Sequence, residues 1–333
     1  MSRSLSIAFV VLTAVALGAQ TPPASAPGDG LVVGAGNFFS PIVSNLDKAI
    51  AFYRDGLGLE VTGQPSNADE NAPLRNMFGL PGAKLRWTIA RPTGIRNGVE
   101  IIEIAQADGR ALDRRIQDPG AMTLVRPVAD LEATVARLKG LGATVVSKGG
   151  NAVGAANGSK MILVREPDDH FVELFAAGRG AGPGDARVRL TVSSVDRAVA
   201  LYRDALGLRG NVGEATSNAA LMDMLGVSRG RARIATFEVP GSPVVLEFVE
   251  LAGADRRTVR GAVQDPGSTR MQLQVRDLNA AIQAVVRAGG GVISTEGKPV
   301  ELPAGRGGSI RAAMVRDPDN LFLVLIEAAA PRP

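Results

Sequence analysis

Apolar positions recur along this chain with two alternating rhythms. In "VSNLDKAIAFYRDGLG", residues 43–58, Leu46, Ile50, Tyr53 and Leu57 share one helical face. Asn45 is placed to cap that helix at its start, and Gly58 follows its end. Runs such as "KLRWTIA", "VEIIEIA" and "KMILVRE" then alternate with period two and read as strands. "VADLEATVARLKGLGATVV" restarts the pattern some 85 residues after "VSNLDKAIAFYRDGLGLEV". The unit is therefore βαβββ.

The pattern also repeats at longer range. "LDKAIAFYRDGLGL" (46–59) and "VDRAVALYRDALGL" (195–208) are identical at nine of fourteen positions. "QDPG" stands at 117–120 and 264–267, and "REPDDHFVELF" (165–175) answers "RDPDNLFLVLI" (316–326). The offsets of 149, 147 and 151 residues keep order and spacing, so the chain is a duplication of a two-module half, with four βαβββ modules in all. "RGAGPG" at 179–184 reads as the hinge between the halves. Nothing in the pattern chooses between modules pairing within a half and modules exchanged between halves.

Composition narrows the chemistry. The 333 residues suit two domains, and 45% hydrophobic content can build real cores. Aromatics at 4% argue against a nucleic-acid stacking surface, and the +4 charge is spread among acids instead of forming a basic patch. Cysteine is absent, which removes disulfides, thiolate metal sites and a cysteine nucleophile. The N-terminal residues 1–19 read as an export signal: Arg3, an apolar run Leu5–Leu17, then small residues around Ala16-Leu17-Gly18. Residues 20–33, with "TPPASAPGDG", read as a disordered linker. These signals point to a periplasmic or secreted protein with no stable membrane insertion once the signal is removed.

"V-S-N/S-L/V-D-x-A-x-x-x-Y-R-D-x-L-G-L", followed later by "D/E-P-D-x-x-x-x-x-L", resembles the vicinal oxygen chelate superfamily, which includes glyoxalase I, bleomycin-resistance proteins and extradiol dioxygenases. The resemblance covers residues 36–177 and 186–328. It implies an α+β fold of four βαβββ modules forming two glyoxalase-like, cup-shaped domains, here bounded at 34–178 and 185–330. It also implies metal ligands on the first and last strands of each module, with chemistry on the concave face.

Carrying the family's ligand positions over gives Phe38, Glu103, Thr123 and Glu173 in the first half, and Arg187, Glu247, Arg270 and Val324 in the second. None is histidine. The only histidine, His170, lies three residues before Glu173, on the opposite strand face, and reads as structural. Non-haem iron and the usual zinc sites lack their imidazoles here. No cofactor is expected, and any divalent metal would have to be an oxygen-preferring one held by Glu103 and Glu173.

Three readings follow. In the first, the cups bind a small molecule, and Arg187, Arg189, Arg270 and Gln272 with Glu247 favour an organic anion, Phe38 and Thr123 lining the other cup. In the second, Glu103 and Glu173 serve as acid and base of a lyase, isomerase or dioxygenase relative. In the third, the second half only supports the first, or a homo-oligomer. The structural counterparts are an Arg–Glu–Arg bridge filling the second cup, and pairing of the first-half carboxylates with Lys84, Arg86 or Arg91. Tyr53 and Tyr202 read as core, the "QDPG" turns as backbone geometry, and Asn67–Gly82 and Asn218–Gly230 as short helices or lids.

Overall fold

The structure is a computed structural model; it describes residues 30–67, 71–93, 97–154, 158–176, 187–303 and 308–328. The expected signal, most of the linker and the hinge at 179–184 lie outside these residues.

Each module opens with a strand that leads into a capped helix. Asn45, Asp130, Ser194 and Asp277 are the four N-caps, each side chain accepting the N–H three residues on. These are the polar residues that follow the first-strand apolar run in all four modules, so the cap signal and the repeat signal coincide. In the first and third modules the helix starts as Leu46–Ala51 and Val195–Ala198, then widens into π-helical Phe52–Gly56 and Val199–Ala205. The widened turns bring Tyr53 and Tyr202 to full burial.

Two sheets of eleven and nine strands result, and they do not follow the halves of the sequence. In the first sheet, Ser40–Val43, the opening strand of the first module, pairs antiparallel with Thr269–Val275, the opening strand of the fourth, with Arg270 opposite Ser40. In the second sheet, Met122–Val128 of the second module pairs with Arg187–Val192 of the third, with Arg189 opposite Thr123. Within each module the opening strand runs parallel to the last one, as in Thr123 beside Phe171 and Arg189 beside Glu247. The expected domains at 34–178 and 185–330 therefore each contribute one module to each sheet. Such exchange leaves local contacts unchanged, which is why the residue pattern does not betray it.

The helices lie between the sheets and share one large core that includes Phe52, Tyr53, Leu138, Tyr202 and Val285. Here each half is tied to itself. Tyr202 Oη donates to Asp317 Oδ2 at 2.8 Å, and Tyr53 faces the corresponding turn, where Glu166 is buried. Burial holds Asp317 up at about 6 and, with repulsion from Asp168, Glu166 up at about 8. Two smaller apolar clusters fill the outer, concave faces.

A short helix closes each concave face. Ala72–Met77 of the first module covers the first sheet's cup, and Ala219–Leu225 of the third covers the second. One device clamps both. Ser294 Oγ donates to the Met77 carbonyl at 3.0 Å and accepts from Met314 N at 2.9 Å. Ser147 Oγ likewise donates to the Met224 carbonyl at 2.7 Å and accepts from Leu163 N at 2.8 Å. Gly79 (φ +68°) and Gly226 (φ +65°) end these helices; a Cβ there would lie 2.4 Å and 2.3 Å from the carbonyls of Ile293 and Val146. Only glycine fits both the conformation and the approach. The lids expected in Asn67–Gly82 and Asn218–Gly230 are these helices, each from one module and seated on another. No helix among the described residues is long and apolar enough to cross a membrane.

Candidate functional site

The cup of the first sheet joins Ser40 and Glu100 of the first module to Arg270 and Gln272 of the fourth. Glu100 Oε2 accepts from Arg270 Nη2 at 2.6 Å, Gln272 Nε2 at 2.8 Å and Ser40 Oγ at 3.4 Å. Gln272 is itself oriented, its Oε1 accepting from Asn37 N at 3.0 Å. Leu74, Met77, Phe78, Leu85, Trp87 and Ile102 complete a pocket with room for about one water. The Phe78 ring lies 4.7 Å from the Arg270 guanidinium carbon, within reach of a cation–π contact. Arg270 is 3% exposed, yet its Nε and Nη1 have no hydrogen-bond partner, nor has Trp87 Nε1. Burial lowers the Arg270 pKa, against the pull of Glu100.

The cup of the second sheet is filled by its own charges. Arg189 binds Glu173 on one side and Glu247 on the other, and Arg187 Nη1 donates to Glu247 Oε1 at 2.9 Å. The ladder runs Glu173–Arg189–Glu247–Arg187 and carries no net charge. Burial pushes both carboxyls up; for Glu247 the two arginines outweigh it and the pKa falls, whereas for Glu173 burial prevails. Removing Arg189 would leave Glu173 buried without its cation, at a cost of about 3–5 kcal/mol. This ladder is the bridge expected in the second half, with a different membership. Arg270 is not part of it, because Arg270 belongs to the other sheet.

Other expected site residues are also relocated. Glu103 and Glu173 do not face each other; they stand in different sheets. Glu103 points to the helix side, where its Oε2 accepts Leu46 N at 2.7 Å and Arg86 approaches Oε1 at 3.4 Å. It caps the open N–H groups of a helix start, on the side of the sheet away from the cup. Glu250 does the same for Val195 N and Glu327 for Leu278 N. The cup carboxylate of the first module is Glu100, three residues earlier and on the opposite strand face. "VEIIEIA" laid on "VLEFVELA" with both glutamates matched pairs Glu100 with Glu247 and Glu103 with Glu250; that second glutamate was the available signal. Phe38 packs into the large core and not into the cup, where Ser40 sits instead. Thr123 is buried beside Arg189, its Oγ1 unpartnered, and Val324 lines the apolar part of the first cup.

His170 is 1% exposed, its Nε2 lying 2.9 Å from the Ile42 carbonyl and its Nδ1 3.1 Å from Thr269 Oγ1. A carbonyl needs a donor, so the ring is the Nε2–H tautomer and Nδ1 accepts from the threonine. It ties the second module to the first and fourth, and burial lowers its pKa to about 4.

The metal that the family resemblance implies does not fit these donors. Between Glu173 and Glu247 the cation is the Arg189 guanidinium. Around Glu100 the nearest partners are Arg270, an amide and a hydroxyl. Among the described residues no three His, Asp or Glu side chains gather closely enough to hold an ion.

Residues 37–174 match the family model of the Glyoxalase/Bleomycin resistance protein/Dioxygenase superfamily. Glyoxalase I from Zea mays superposes with a TM-score of 0.56 at 15% identity, covering 87% of this chain and 92% of its own. A mutant of the same enzyme gives 0.59 at 15% identity, over 90% and 95%. A putative dioxygenase from Bacillus subtilis gives 0.51 at 13% identity, over 90% and 87%. At these identities the likeness is one of fold, and comparison with curated proteins finds no match in sequence. The family match to the first half, the repetition of its pattern in the second and the shared four-module fold agree: the first half matches the Glyoxalase/Bleomycin resistance protein/Dioxygenase superfamily, and the whole chain has the tandem, glyoxalase-like fold.

Proposed function

We propose that this protein binds a small, largely apolar molecule bearing a carboxylate or similar acceptor group in the cup of the first and fourth modules. The observation that carries the reading is Arg270, a buried guanidinium that lines an apolar pocket with two N–H groups unpartnered. An unpaired buried donor costs about 1–3 kcal/mol, which a ligand oxygen would recover. Trp87 Nε1 is a third waiting donor, beside flat apolar walls that suit a ring or a short hydrocarbon. The pocket holds about one water, so a larger ligand needs Ala72–Met77 and Phe78 to withdraw. The Ser294–Met77 hydrogen bond is the latch.

Thermal shifts with a panel of aromatic and aliphatic carboxylates test the proposal. At least one should raise the Tm, and Arg270→Lys, which keeps the charge beside Glu100 but loses the guanidinium donors, should abolish the rise. No response to any member would end the anion reading. A catalytic use of the same cup would fall to Glu100, whose Oε2 gathers three donors. Turnover lost in Glu100→Gln with binding retained would mark that role. The proposal includes export, on the strength of residues 1–19; N-terminal sequencing of protein recovered from the periplasm or medium tests it.

A further inference from the structure

Outside both cups, three arginines gather where the linkers between modules meet the last hairpin. Arg114 is 6% exposed; its Nη2 donates to the Val259 carbonyl at 3.2 Å, and its Nε is buried without a partner. Arg316 Nη2 donates to the Gly261 carbonyl at 2.9 Å, and its Nε is also buried without a partner. Arg260, exposed, lies between those two carbonyls in the chain. The acids whose charge reaches this cluster are committed elsewhere. Asp118 is held by Arg115 and Arg257, and Asp265 accepts from the N–H groups of Arg110 and Ala262. Burial lowers the Arg114 pKa to about 10 against the pull of Asp118, with Arg316 adding repulsion; burial and Arg260 lower that of Arg316.

The duplicated half shows what is missing. Arg165 is the counterpart of Arg316, and it pairs with Asp169 at 3.2 Å, four residues on. Four residues after Arg316 stands Asn320, with the same φ of +68° as Asp169. The turn is preserved and its charge is gone. Arg165 also stacks on Phe171 as Arg316 does on Phe322, at 5.2 and 4.8 Å. The first half thus satisfies its guanidinium from within, while the second leaves it beside two further cations.

We propose that Arg114, Arg260 and Arg316 form a binding site for a small oxyanion of the phosphate class, which stands in for the carboxylate that Asp169 gives Arg165. Guanidinium forks arriving from two linkers and a hairpin suit an anion with oxygens on several sides, and two of them already have a buried N–H unspent. None of the three lines the Arg270 pocket, so this site and the cup are independent.

The test measures the Tm of the full chain in rising inorganic phosphate, against sodium chloride at equal ionic strength. Phosphate should raise the Tm by about 4 °C at a hundredfold excess over its Kd. Asn320→Asp, which restores the internal partner in a turn already shaped for it, should be more stable than the parent in chloride and should lose most of the phosphate response. Arg316→Gln should lose the response as well. A phosphate effect no larger than that of chloride, or one undiminished in Asn320→Asp, overturns the site.

Discussion

Glu100 and Glu103 differ by three positions on one strand, and that spacing decides whether a carboxylate faces a pocket or a helix. Residue type alone cannot report the difference, and the register of the whole strand has to be read. His170 illustrates the converse, because strand alternation already turned it away from Glu173, and its bonds to Ile42 and Thr269 show what it does instead. It is the only imidazole in the chain, so its titration can be followed by NMR without assignment. The ring should stay neutral as the Nε2–H tautomer down to about pH 4. Because the unfolded chain takes up this proton near pH 6.5, the stability tied to the neutral ring is complete above that value. It is lost as pH falls toward 4. His170→Gln should flatten the fall of Tm in that window, and an imidazole already charged at pH 5.5 would contradict the assignment.

At the scale of elements, the N-cap at Asn45 and the amphipathic helices were legible because each depends on neighbours in sequence. The lid helices were legible as helices, but their seats were not, since Ser147 and Ser294 belong to other modules. The capping role of the strand glutamates, each on the helix that opens its own module, was not legible for the same reason: Glu103 and Leu46 are 57 residues apart. Replacing Glu103, Glu250 or Glu327 with alanine should cost about 0.5–2 kcal/mol each in urea unfolding, with an unchanged m-value. The second module has Ala176 at the corresponding position, so the fold tolerates the loss. A Glu103→Ala variant as stable as the parent would show that the cap is incidental.

At the scale of the molecule, the fold class and the duplication were open to reading, whereas the partnership of modules was not. Each sheet takes one module from each half, Tyr202–Asp317 ties the second half to itself, and the large core is shared by both. A chain cut to residues 34–178 keeps its share of that core but leaves the edges at Ser40–Val43 and Met122–Val128 without partners. It should therefore fold as a dimer, the first module of one copy beside the second of the other. Sedimentation would report twice the chain mass, and a stable folded monomer would contradict the expectation.

The exchanged pairing carries a consequence for how this molecule can change over generations. Two identical copies related by a dyad must alter both their cups whenever one gene alters. Joining the copies in tandem ends that constraint, because each cup then draws on its own codons. One cup here is sealed by four of its own charges while the other keeps donors to spare. The joined chain holds one charge-sealed sheet that can carry the fold, and it leaves the other sheet at liberty to acquire a new ligand.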